Sequence, residues 1–110
     1  MRYTLAILAA LSLTGCVRSM DHVAALPVTD EAVTSKSIQE VRDCMVPIMD
    51  RARARPVETG TDDNKRLAFV GETGTIALYD MVRTDAGTKV TAHRRKMIAD
   101  KYEEARACYM

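Results

Sequence analysis

An apolar run from Leu5 to Leu13 follows Met1, Arg2 and Tyr3 and leads through Thr14 and Gly15 into Cys16. A helix that crosses a bilayer needs about 20 apolar residues, so this run is too short to span. One basic group ahead of it and small residues behind it fit the hydrophobic region of an export signal, which is about 7 to 15 residues long. The segment is therefore read as a processing signal and set apart from the fold. What remains of the 110 residues is room for one small domain. A domain of about 75 ordered residues buries only a modest core, so any covalent brace weighs heavily in its stability.

The tetrapeptide Leu13-Thr14-Gly15-Cys16 resembles the lipobox of bacterial lipoproteins: an apolar residue, two small residues and a cysteine. In that family a diacylglycerol is attached to the cysteine sulfur, the peptide is cut just before it, and the new amine is acylated. The resemblance covers residues 1–16. It implies cleavage between Gly15 and Cys16 and a covalent lipid on Cys16, the one cofactor expected. A single acyl chain binds membranes marginally and two or more hold stably, so the lipid alone would anchor the chain. The implied location is the cell envelope, facing the periplasm. In enterobacterial sorting, Asp after the acylated cysteine favours the inner membrane; Val17 stands there, so the outer membrane is expected.

If Cys16 carries lipid, Cys44 and Cys108 remain. Two thiols in an oxidising compartment imply a disulfide between them. A bridge closing a loop of about 60 residues stabilises a fold by about 4 kcal/mol in the chain-entropy treatment. Two separate buried thiols, or an intermolecular bridge, are the alternatives. A zinc site is disfavoured, because Cys44, Cys108, His22 and His93 lack closely spaced ligand pairs. No metal is expected.

The charge balance is 16 Lys and Arg against 15 Asp and Glu, and loss of Arg2 with the leader evens it. Such a balance supplies no long-range field for nucleic acid or for anionic lipid. With one Phe, four Tyr and no Trp, stacking platforms for single strands are scarce too.

Residues 1–15 are read as the signal peptide, 16–34 as a lipidated tether and 35–110 as a small α+β domain. The tether shows no sustained period, and Pro27 disfavours helix through Leu26. A first helix starts near Ser37, whose spacing to Glu40 is that of a capping box. Ile38, Val41, Met45, Ile48, Met49 and Ala52 make its apolar stripe. Pro47 predicts a kink or a broken turn. Residues 55–65 read as a polar loop. Three strands follow over 67–71, 75–83 and 88–94, the middle one apolar on both faces and so central. A last helix is expected from Arg94 to Tyr109. The order α-β-β-β-α predicts a three-stranded antiparallel meander with both helices on one face, joined by Cys44 and Cys108. It is similar to other small envelope lipoproteins with two cysteines, a likeness that carries no catalytic residue onto this chain.

Chemistry-bearing clusters are few. His93 with Tyr79 and Asp80 would make a catalytic pocket if they converged, and Asp62, Asp63 and Glu58 offer oxygen ligands for a cation; the expectation is an exposed or edge-strand histidine for His93 and a solvated acidic loop for the carboxylates. Arg51, Arg53 and Arg55 suit the end of a helix. Arg94, Arg95 and Lys96 do not suit the start of one, and so form the candidate partner-binding cluster, for lipid headgroups or an anionic envelope polymer. The expected function is a non-catalytic, membrane-anchored binding module whose partner is an envelope protein or the cell wall. The alternatives are a periplasmic inhibitor of a wall-degrading enzyme and a phage- or plasmid-type lysis or exclusion lipoprotein.

Overall fold

Ser37 opens the longest helix, as its spacing to Glu40 predicts. Its Oγ accepts from the Glu40 amide at 3.1 Å, and the Glu40 carboxylate accepts from the Ser37 amide at 3.3 Å, which satisfies two otherwise orphaned donors. The computed structural model describes residues 20–95 and 99–110. Within them lie helical residues 20–25, the described part of α1, strand β1 (Asp30–Thr34), helix α2 (Ile38–Arg51), strands β2 (Arg55–Gly60), β3 (Asn64–Gly71), β4 (Gly74–Thr84) and β5 (Gly87–Arg94), and helix α3 (Ala99–Arg106). The signal peptide and Cys16 lie outside the described residues.

The α+β class and the central β4 are as expected; the three-stranded meander is not. The sheet has five antiparallel strands in the order β1-β5-β4-β3-β2. The two extra strands are its edges. β1 lies in the expected tether and β2 in the expected loop. Both are mostly polar, because an edge strand needs one hydrogen-bonded neighbour and can leave its other side in water. Pro56 fits β2 for the same reason.

One face of the sheet packs on the helices. Ala32, Val90, Ala92, Tyr79, Met81, Leu67 and Phe69 meet Val41, Met45 and Met49 of α2 and Tyr102, Ala105, Cys108 and Tyr109 from the C-terminal region. Tyr79 stands at the centre, edge-on to Phe69 at 5.9 Å and to Tyr109 at 6.0 Å. Burial pushes the Tyr79 and Tyr109 hydroxyls far above the ordinary tyrosine range. The Cys44–Cys108 disulfide ties α2 to the C-terminal region with Cα atoms 5.7 Å apart. Ion pairs seal the rim: Arg42 of α2 reaches Glu58 of β2 at 2.9 Å, and Arg51 reaches Glu104 of α3 at 2.9 Å.

α2 is continuous through Pro47, so the turn there is not broken. Pro47 is exposed, so the carbonyl left without its amide donor faces water, while the buried stripe runs along the other side of the helix. The helix ends in a Schellman arrangement. The Arg53 amide donates to the Asp50 carbonyl at 2.9 Å, and the Ala54 amide donates to the Met49 carbonyl at 3.0 Å. Arg53 takes φ 60 there, a conformation in which glycine is at ease and a side chain is not. Arg53→Gly should therefore raise stability by about 0.5 to 1 kcal/mol in urea denaturation; a loss would mean that the Arg53 side chain holds something more valuable.

Candidate functional site

The sheet's second face is divided by chemistry. His93, Leu78 and Ala68 sit side by side across β5, β4 and β3, and Leu78 and Ala68 are fully buried. One strand step further, Asp80 pairs with Arg66 at 2.9 Å and the face turns polar. Beyond that row Val33 and Val82 are exposed, flanking Lys89.

The dry row is dry because the N-terminal segment lies over it. Val23 of α1 is 1% exposed. The Leu26 carbonyl accepts from His93 Nδ1 at 2.8 Å, which puts the ring proton on Nδ1. The Thr29 amide donates to the Ala92 carbonyl at 2.8 Å, and from Asp30 the chain pairs with β5. Residues 20–34 are thus part of the fold, which corrects the tether assigned to 16–34. Hydrophobic spacing was the overlooked signal: Val23 and Leu26 lie one helical turn apart, just ahead of Pro27.

This path creates a concavity of about 510 Å³ walled by His22, Leu26, Pro27, Val28, Arg94 and Arg95. Val28 is half exposed. The Arg94 guanidinium lies 4.8 Å above the Tyr102 ring, a stacking arrangement that keeps the cation in place without neutralising it. The Arg95 amide donates to the Ile76 carbonyl at 2.9 Å, fixing the backbone where β5 ends. Arg94 closes β5 and Arg95 follows it, so the last helix does not start at Arg94 as expected. Both line one concavity. Lys96, the third member of the expected cluster, lies outside the described residues, as do Gly15 and Cys16.

At the opposite end of the sheet, the turns before α2, between β2 and β3, and between β4 and β5 frame a second cleft of about 520 Å³. Glu40, Asp62, Asp63, Arg83 and Asp85 are among its walls. The β2–β3 tip is pinned: the Thr61 amide donates to the Asn64 carbonyl at 2.9 Å, and Arg83 reaches Asp63 at 3.2 Å. The chain matches no protein-family model, no curated protein and no solved structure in the comparisons made with it. The two ends of the sheet must therefore be read from their own chemistry.

The other candidate groups do not assemble. Tyr79 is 1% exposed on the helix-covered face, whereas Asp80 and His93 belong to the opposite face. His93 is itself buried and held by Leu26, not exposed as its sequence context suggests. Glu58 is held by Arg42 and Lys65, and the Arg42 guanidinium keeps its carboxyl below the usual range. Asp63 turns to Arg83 instead, so Glu58, Asp62 and Asp63 do not act as one donor set. Among the described residues no group of three or more His, Cys, Asp or Glu side chains is arranged to hold a metal ion. Arg51, Arg53 and Arg55 serve three local ends: an ion pair with Glu104, the helix terminus and the start of β2.

Proposed function

We propose that the chain is a lipid-anchored envelope protein that works as a non-catalytic interaction module. The path of residues 20–34 carries this reading. With Cys16 acylated, only Val17, Arg18 and Ser19 separate the anchor from Met20, the first described residue, a span of at most about 14 Å. A domain on so short a lead is held at the membrane surface with its N-terminal side inward. β5 runs about 25 Å from Gly87 to Arg94, so the cleft at the hairpin end then faces away, toward a partner. The disulfide adds weak support for an oxidising compartment. Among the described residues no helix is long and apolar enough to cross a membrane; attachment in this reading is by lipid. Val17 favours the outer membrane by resemblance to enterobacterial sorting.

The pinned, exposed β2–β3 tip favours a second reading, an inhibitor that inserts this turn into a wall-degrading enzyme. Both readings are tested by placing a photo-crosslinking residue at Asp62 or Asp85 in the native host. The expected result is a discrete adduct with an envelope protein or with the wall, lost on Cys16→Ser. Labelling no stronger than in that variant, from both positions, would remove the docking reading; an adduct with a wall hydrolase would select the inhibitor.

A further inference from the structure

We infer that the concavity between the N-terminal segment and the end of β5 binds the headgroup of an anionic phospholipid of the membrane that carries the anchor. The inference rests on the reading of Cys16 as acylated, which brings this side of the molecule to the bilayer. The chain leaves the described fold at Met20, two residues before His22 in the wall of the concavity. Acyl chains on Cys16 therefore enter the bilayer within about 14 Å of Met20.

The chemistry of the wall matches such an occupant on two sides. Arg94 and Arg95 both line the concavity, and among the described residues its walls include no carboxylate. A guanidinium is the side chain best shaped to hold a phosphate, through paired N–H donors. Stacking on Tyr102 gives Arg94 a fixed position before any ligand arrives. Leu26, Pro27 and half-exposed Val28 form the opposite wall, suited to the glycerol and first methylenes of a lipid that a soluble phosphate lacks. A basic and apolar surface beside the anchor also supplies the second contact that orients a lipoprotein domain. The hairpin end, with Glu40, Asp62, Asp63 and Asp85 against Arg83, carries the opposite sign and would be turned away by the same surface.

The test uses the lipidated full-length product in nanodiscs, with hydrogen–deuterium exchange as the readout. Phosphatidylglycerol discs are compared with phosphatidylcholine discs. Amides of residues 22–29 and 93–95 are expected to exchange about fivefold more slowly in phosphatidylglycerol, as expected for one Arg at an anionic surface. At about 1 M salt, where the Debye length falls to about 3 Å, the difference should largely disappear. Arg95→Gln and Val28→Asp should each bring the exchange to the phosphatidylcholine level, and Arg83→Gln at the far end should leave it unchanged. Val28→Asp keeps the test sound if replacing an arginine disturbs folding, because Val28 is exposed. Equal exchange in both discs would overturn the inference, as would protection insensitive to Arg95→Gln and Val28→Asp. Protection produced in phosphatidylcholine discs by soluble glycerol phosphate alone would also overturn it, pointing to a free phosphoester. Intact-mass analysis of the same sample reports acylation of Cys16 separately, so failure of the anchor and failure of the headgroup site are told apart.

Discussion

Replacing Cys44 and Cys108 together by alanine is expected to lower stability by about 4 kcal/mol in urea denaturation. The bridge joins positions 64 residues apart, so its removal restores a large loop to the freedom of the unfolded chain. The C-terminal helix cannot hold itself. α3 spans eight residues, far below the length at which a helix is stable alone. It stays because Tyr102, Ala105, Cys108 and Tyr109 pack into the core, because the Tyr102 hydroxyl donates to the Ile76 carbonyl at 3.0 Å, and because the Tyr109 hydroxyl donates to Asp30 at 3.2 Å. For a chain of this size a loss of 4 kcal/mol lowers Tm by about 15 to 30 °C. A fall of less than about 1 kcal/mol would mean that these contacts dock the C-terminal region without the bridge, and the account of the fold as disulfide-dependent would be wrong.

Gly87→Ala should cost about 3 kcal/mol in thermal or chemical unfolding, the second largest effect expected of a small change. Gly87 begins β5 with φ +134, and a Cβ built there would lie 2.1 Å from the Thr34 carbonyl oxygen and 2.8 Å from the Ser35 Cα. Both obstacles are backbone, so no rotamer can relieve them. The chain would have to draw the end of β1 away from β5, breaking the pairing at Thr34 and Thr88 and straining the 2.8 Å bond from the Thr88 hydroxyl to the Lys36 carbonyl. Amide exchange should therefore accelerate first in β1. Gly71→Ala is the control: there the added carbon meets the Ile76 side chain at 3.6 Å, ordinary van der Waals contact, and the effect should stay within about 0.5 kcal/mol. Equal losses at the two glycines would show that general strand entropy, not the approach of β1, governs the corner.

These two positions differ in how far they can be read from the linear chain. If Cys16 is assigned to lipid, the two cysteines left over, Cys44 and Cys108, name each other. Ser37 and Glu40 announce a helix start through a bond that closes within one turn. The three central strands announce themselves by apolar alternation, since water is excluded from at least one of their faces. Gly87 could be placed in a turn by the company of Asp85 and Ala86, but nothing local says that β1 passes behind it.

The same divide separates the candidate surfaces. Arg94, Arg95 and Lys96 stand out as a basic run, yet Arg94 belongs to a strand and does not open a helix, because β5 extends through it under its pairing with β4. His93 looked like an exposed strand residue and is buried, because a carbonyl 67 positions earlier reaches its ring. Local order was legible wherever the interaction that enforces it lies within a few residues: caps, apolar stripes, turns and the helix that carries Cys44. The edge strands, the N-terminal segment over Leu78 and the concavity that brings Arg94 and Arg95 near Leu26 and Val28 were decided in three dimensions. Each depends on partners far away in sequence, and polar edge strands acquire their shape only when a neighbouring strand offers its hydrogen bonds.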